Sequence, residues 1–386
     1  MRHRIRNLLP HPAIKALLFE RLLLIAAAGL AIAALVTGRV RPDEIPGLLD
    51  ARLLSLFFVL IIAVELGKAS DLFDRLVLAV ASRVHTARGL AVGMLAVTGA
   101  LASVLTNDVA LFLVVPFTMA FRRVTNVDLT PFVVLEVAAA NLLGCLLPLG
   151  NPQNLLLFTR GGFHAGQFLA VQAPWVAAAA VFLFAAIPPL VPRARLEPPA
   201  SAPFEVHGLM ATLCMLLLAA ELASLFGWVH HWVPFAFSAL GVVLLGPRRI
   251  RETDFSIIVV FALLFVGVAG LERGRIYEAL NPERIFGHRA RGMVLSGALL
   301  SQFVSNAPAA MLLAPAAVTA SGLRGLLHGV NAGGCGAPWS SIANLIGAQL
   351  FARDGGDPRR YWRRFLPLSA LLLVLMVLVS LALVSL

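Results

Sequence analysis

Thirteen apolar stretches, near 22–38, 53–67, 89–105, 108–121, 131–158, 168–191, 207–227, 232–246, 255–270, 292–304, 307–320, 326–351 and 365–386, follow one another with short loops between them. A chain built this way has few folding options. In hydrocarbon each backbone N–H and C=O must be paired within the protein, which leaves helices and closed barrels. At about 1.5 Å per residue a helical crossing needs about 20 residues, so several stretches are too short to cross alone. Composition agrees: of 386 residues 59% are hydrophobic and 13% charged, against roughly a quarter charged in soluble domains. An ordinary cytosolic enzyme is excluded, and the spans leave no room for a soluble catalytic domain. The expected fold is an all-α polytopic membrane protein. The basic start of the chain (residues 1–21) resembles the charged end of a signal peptide. It is read instead as a cytoplasmic segment before an uncleaved first helix.

The chain repeats itself. Thr106-Asn107-Asp108-Val109-Ala110, running on to Pro116, matches Ser305-Asn306-Ala307-Pro308-Ala309, running on to Pro315, with Asn107 and Asn306 199 residues apart. Asn141, Cys145, Pro148, Asn151 and Asn154 match Asn331, Cys335, Pro338, Ser341 and Asn344 at a constant offset of 190. Weaker mates are Gly38 with Gly246 and Asp50 with Asp254. Five matches in fixed spacing point to a duplication. The expected units are repeat 1 (22–191), a Pro-rich cytoplasmic linker (192–206), a linking transmembrane helix (207–227) and repeat 2 (232–386).

Arginines set the topology. Arg83 and Arg88 precede the 89–121 pair of segments, and Arg122 and Arg123 follow it. Both ends then lie on one side, making 89–121 a re-entrant hairpin, with 292–320 its counterpart. Nine crossings remain. With a cytoplasmic N-terminus, 21 of the 31 basic residues fall on the cytoplasmic side, as the positive-inside bias requires. The odd helix at 207–227 then inverts the second repeat relative to the first. The +11 net charge is thus topological and calls for no nucleic acid.

Two helices are expected to break, at 131–158 and 326–351. Pro148, Gly150 and Pro152 interrupt the first, Gly336 and Pro338 the second, because Pro removes amide donors and Gly loosens the chain. Irregular backbone at membrane depth must be buried in protein or line a wet cavity. A half-helix N-terminus offers N–H groups to an anion, and carbonyls ending the preceding half can ligate a cation. Asn and Pro can also merely kink a helix or bond a neighbour. Asp108 is the one acidic residue at a hairpin tip. Its carboxylate serves a cation or proton, or caps the second hairpin helix. Its mate is Ala307. Glu65 and Glu136 are expected solvated or paired near span ends, and Glu221 with His230-His231 at the interface. Trp339 either walls the site or packs a helix. The three cysteines show no paired spacing, and HExxH, GxSxG, P-loop and CxxC motifs are absent, so hydrolase, ATPase and thiol-redox chemistries have no residues to carry them.

At these motifs the sequence resembles the ion transporter superfamily with a citrate-transporter-like domain. That group includes arsenite permeases, sodium/proton antiporters and dicarboxylate transporters. The likeness rests on Leu105–Pro116, Gly150–Leu155, Ser305–Ala309 and Ser340–Leu345 and covers most of the chain from about 20 onward. It implies two hairpin tips and two unwound helices around substrate and any coupling ion. Thr106, Asn107, Asn151 and Asn154 would form one half of the site, and Ser305, Asn306, Ser340, Ser341 and Asn344 the other. Sodium, if it couples, would lie near Asn107 and Asn151 and near Asn306 and Ser341. The Ser-Asn-Thr signature of the dicarboxylate branch does not occur here.

The leading expectation is a secondary active transporter of a small anion, an inorganic oxyanion or a carboxylate, coupled to H+ or Na+, in a bacterial inner membrane. It would need no resident cofactor. The alternatives are a sodium/proton antiporter and a non-transporting scaffold or receptor. Helices 53–67 and 255–270 are expected in a static frame whose faces could also form a homodimer.

Overall fold

The computed structural model describes residues 12–123, 125–196, 206–274 and 289–385. Residues 1–11 of the expected N-terminal segment and 197–205 of the expected linker lie outside the described residues. Every regular element described is helical. The helices are α1 (Pro12–Val36), α2 (Ile45–Leu48), α3 (Ala51–Ala69), α4 (Leu72–Ala81), α5 (Ala87–Val104), α6 (Asn107–Ala120), α7 (Thr130–Leu142), α8 (Pro152–Arg160) and α9 (Ala165–Leu190). They continue with α10 (Gly208–Leu225), α11 (Trp232–Glu252), α12 (Ser256–Glu272), α13 (Arg289–Val304), α14 (Asn306–Leu313), α15 (Ala320–Gly333), α16 (Ile342–Arg353) and α17 (Pro358–Leu383).

Five of them, α5, α9, α10, α11 and α17, are long and apolar enough to cross a membrane. α5, the first arm of the expected hairpin, has 18 residues. Its partner α6 has 14, with Pro116 inside. The amphipathic α4 was not among the expected segments. It buries Phe73 and Val77, and the Phe73 ring sits where a side chain on Gly67 of α3 would lie, 2.0 Å from the position of a Cβ.

The core sits around the broken helices. All 13 residues of α7 are buried, enclosed by α5, α6, α9, α16 and α17. A helix apolar all round belongs in an interior. On the outside, Val36, Val243, Phe303 and Val374 are exposed, as side chains facing acyl chains are. α3 packs against α10, α11 and α12.

Two residue pairs matched in the sequence end or begin helices in the same way. Gly38 closes α1 at φ +67° and Gly246 interrupts α11 at φ +72°, the left-handed conformation that glycine adopts without steric cost. Asp50 accepts from the Leu53 N–H ahead of α3 and Asp254 from the Ser256 N–H ahead of α12, supplying an acceptor to N–H groups that lack one at a helix start.

In the turn after α1, Glu44 accepts from the Arg273 guanidinium at 2.6 Å and from the Arg41 N–H at 3.1 Å. These bonds, the Arg273 one first, hold its carboxyl below the ordinary 4.5. A depressed carboxylate pKa adds stability above the unfolded pKa and loses it as pH falls through the folded one. Arg273→Gln should therefore melt slightly below the wild type near neutral pH, with the gap closing well below pH 4.5. Melting curves across that range check it, and a gap independent of pH would contradict it.

Candidate functional site

α5 and α6 meet at Leu105-Thr106, and α13 and α14 at Ser305. Thr106 caps α6: its Oγ1 accepts from the Val109 N–H at 3.3 Å, and Asn107 Oδ1 accepts from the Asp108 N–H at 2.9 Å. The second tip is built differently. Ser305 has φ +73°, rare for a residue with a Cβ, and its backbone is held by the Asn306 N–H, which donates to Ser340 O at 2.9 Å. Neither α14 nor the two post-break helices α8 and α16 has a side-chain cap.

Both expected breaks are present. The first passes from α7 through short turns at Leu143–Leu146 and Pro148–Gly150 into α8. The second passes from α15 through 334–341 into α16. Their freed carbonyls are gathered by side chains. Ser103 donates to Leu143 O at 3.0 Å, and Gln302 donates to Gly333 O at 2.9 Å. Ser103 and Gln302 are 199 residues apart and Leu143 and Gly333 190, so one bond occurs twice at the repeat offsets. Gln302 also accepts from the Ala337 N–H at 2.8 Å.

Asn141 ties the halves together. Its Oδ1 accepts from Asn107 Nδ2 at 3.2 Å and from Ser341 Oγ at 2.8 Å. Its Nδ2 donates to Asn344 Oδ1 at 2.7 Å. One amide of α7 thus holds the first residue of α6, the residue preceding α16 and α16 itself.

A cavity of about 270 Å³ lies in front of this network. It is lined by the N-terminal residues of four helices: Thr106-Asn107-Asp108 of α6, Pro152-Gln153 of α8, Ser305-Asn306-Ala307 of α14 and Ser341-Ile342 of α16. α3 and α12 form the apolar wall through Phe57, Leu60, Phe261 and Leu264, and Glu65, Lys68 and Asp254 also line it. The helix macrodipole and unpaired N–H groups place partial positive charge at such ends. Four ends around one space make a region that favours an anion, offset locally by Asp108.

Of the expected site residues, Thr106, Asn107, Asp108, Ser305, Asn306 and Ser341 line the cavity. Asn151, Asn154, Ser340 and Asn344 are buried behind it, bonding the break: Asn151 Nδ2 lies 3.1 Å from Cys145 Sγ, and Asn154 donates to Cys145 O at 3.4 Å. Ser340 and Asn344 donate to Gly334 O at 2.9 and 3.1 Å. Asn107 lines the cavity and Asn151 does not, whereas Asn306 and Ser341 both line it. Trp339 donates to Gln302 O at 2.6 Å and packs the break. Sequence reading left out Asn141, Gln153 and Gln302. The signal for Asn141 was its Asn331 mate, and for Gln302 the shared offset with Ser103.

Two carboxylates are corrected. Glu136 is fully buried in the middle of α7, where Thr118 Oγ1 donates to it, because α7 is enclosed on every side. Glu221 is fully buried on the face of α10 that packs into the bundle, and neither of its oxygens has a hydrogen-bond partner. Glu65 pairs with Lys68 at 2.9 Å as expected.

An apolar helical assembly with a cavity onto which the polar ends of interrupted helices open is the construction of a membrane transporter. The comparisons with known proteins narrow that class. The chain belongs to the citrate transporter family CitMHS, whose family model matches residues 15–328. It is 29% identical to the inner membrane protein YbiR of Escherichia coli K12 over 342 residues, covering 84% of this chain and 85% of YbiR. It is 26% identical to the uncharacterized transporter MJ0456 of Methanocaldococcus jannaschii over 326 residues, covering 83% and 86% of the two chains. A shorter match, 32% over 76 residues, covers 20% of this chain and 14% of a Dictyostelium discoideum transporter called arsB.

Proposed function

We propose that this transporter is a secondary active carrier of a small anion, a carboxylate or inorganic oxyanion, driven by an H+ or Na+ gradient through alternating access. The observation that carries the reading is the convergence of four helix N-termini, three of them without a side-chain cap, on one cavity. The anion sits against the uncapped ends of α8, α14 and α16. The coupling cation or proton sits toward Asp108, the carboxylate at the capped end of α6. Ser305, Asn306 and Ser341 supply oxygens for Na+ if sodium is the coupling ion. The family name favours a carboxylate.

The two halves are read as inverted repeats with re-entrant hairpins in a bacterial inner membrane, N-terminus inside. The Phe57 and Phe261 rings support this, meeting edge to face at 5.0 Å. They stand 204 residues apart, the offset of Asp50 and Asp254, so a residue touches its own mate where a two-fold axis would pass. The C-terminal end of α3 and the N-terminal end of α12 share the cavity, as mates of opposite direction would. A sodium/proton antiporter remains the second reading, favoured by Asp108 in the cavity. The scaffold reading required packed apolar side chains around Asn107 and Asn306, and a cavity lies there instead.

Proteoliposomes loaded with citrate or arsenite under imposed H+ or Na+ gradients test the proposal. Asp108→Asn should abolish the gradient dependence, and Asn107→Ala should cut flux at least about tenfold. Gradient-driven sodium/proton exchange without anion movement would establish the antiporter instead, and unchanged flux in both variants would remove the site.

A further inference from the structure

A second cavity, of about 420 Å³, lies between the α8–α9 turn, the first turns of α15 and the end of α17. Its place in the molecule is defined by α8. That helix starts at the central cavity with Pro152 and Gln153 and ends at Arg160, whose guanidinium lies over Phe265 at 5.1 Å. Near that end Phe158 stacks under Arg52 at 5.5 Å. Arg52 opens α3, whereas Lys68 closes it at the central cavity. The second cavity therefore lies at the opposite end of the helices from the polar residues Glu65, Lys68 and Asp254.

Its polar lining is sparse and specific. Arg324 is exposed and, among the described residues, has no acidic group within 4.0 Å. His328, one turn further along α15, is 3% exposed, and its ring stacks on Trp175 with centroids 6.1 Å apart. Its Nε2 lies 3.3 Å from the Val171 carbonyl oxygen. A carbonyl only accepts, so the proton is on Nε2 and Nδ1 carries a lone pair. That Nδ1 is buried without a partner. A buried acceptor without a donor is costly, so this ring nitrogen is short of a hydrogen-bond donor. The cavity is also lined by Arg324 and Gln167, within walls made otherwise largely of Phe163, Val171, Leu323 and similar side chains.

We propose that this cavity is a second anion site, taking a phosphate or carboxylate group that carries a hydroxyl beside it. The oxyanion pairs with Arg324, a planar donor fork suited to such groups, and the hydroxyl donates to His328 Nδ1. Two sources have this chemistry: the headgroup of phosphatidylglycerol and a soluble hydroxy acid or glycerol phosphate. An occupant would bear on the central site through one turn of helix. Asn331, three residues past His328, accepts from Gln153 Nε2 at 3.1 Å, and Gln153 lines the first cavity.

The test is thermal unfolding of purified protein in phosphatidylcholine nanodiscs, with three additions: glycerol phosphate, citrate, or phosphatidylglycerol in the disc. A ligand that binds only the folded site raises the melting temperature with its concentration. Expected is a saturable rise of roughly a few degrees with at least one addition, absent in Arg324→Gln and reduced in His328→Phe. Asn107→Ala, at the other cavity, should keep it, which separates this site from the transport reading. A rise confined to phosphatidylglycerol identifies the lipid source, and one with the soluble anions identifies a solute. No rise with any addition, or an equal rise in Arg324→Gln, overturns the proposal.

Discussion

Asn141→Leu is expected to abolish anion flux and to lower the melting temperature more than any other single change at the site. Three bonds are lost together: those to Asn107, Ser341 and Asn344. Leucine has similar volume but leaves Asn107 Nδ2 and Ser341 Oγ as donors, and Asn344 Oδ1 as acceptor, in a buried space. Each orphaned group costs about 1–3 kcal/mol, so a total of roughly 3 kcal/mol or more is expected. The flux effect should be larger than stability alone accounts for, because a hairpin tip and a post-break helix lose their common anchor. Flux per correctly folded molecule in proteoliposomes, beside melting curves, separates the two. Asn141→Gln should not rescue, since its amide stands one methylene further out. Flux near wild type in the leucine variant would show that the network does not position the tips.

Gly150→Ala is expected to prevent accumulation of folded protein. A Cβ there would lie 1.9 Å from the Gly144 carbonyl oxygen and 2.5 Å from that of Ala102. Both are backbone atoms, which cannot rotate aside as a side chain can. Relief requires α5 or the break itself to move, and with them Ser103, whose bond to Leu143 O secures the break. Overpacking of this kind costs about 1–3 kcal/mol in ordinary cores and more where backbone must shift. Monodisperse yield after detergent extraction measures it. Gly166→Ala, at an open position with nothing within 4 Å of the added Cβ, is the control and should extract like the wild type.

The interruptions were legible in the sequence because they oppose a strong local rule. Pro148, Gly150 and Pro152, and Gly336 and Pro338, crowd helix-opposing residues into a few positions, and the helices are interrupted there, whereas the single Pro116 is carried inside α6. The tips were legible for the same reason, together with the 199-residue offset. Which side chains face the cavity was not legible. Asn151, Asn154 and Asn344 have the same polar character as Asn107 and Asn306, yet they turn toward freed carbonyls and the sulfur of Cys145. The choice is made by the path of the backbone through each break. Asn141 stands inside a regular helix, where a lone amide reads as a minor polar interruption. Glu136 and Glu221 misled for a related reason. A hydropathy window places a carboxylate along the chain but does not know how many helices surround it. The amphipathic α4 escaped because it is a ten-residue helix packed on α5 and α6, too short and too charged to register as a span.

The unlike pair Asp108 and Ala307 has a consequence for direction. A carrier with no energy source besides ion and solute gradients has no valve: where the coupled gradients balance, inward and outward flux are equal, whatever its shape. Under the alternating-access mechanism proposed above, two halves with one carboxylate between them make the conformers open to either side bind their ligands with different strength. The asymmetry therefore belongs in the half-saturation constants at the two membrane faces, not in the net direction of flow. The maximal rates must compensate, so that the ratio of the two efficiencies equals the equilibrium constant of the coupled exchange. Putting a carboxylate at position 307 or removing it at position 108 should move those constants apart or together while leaving that ratio fixed.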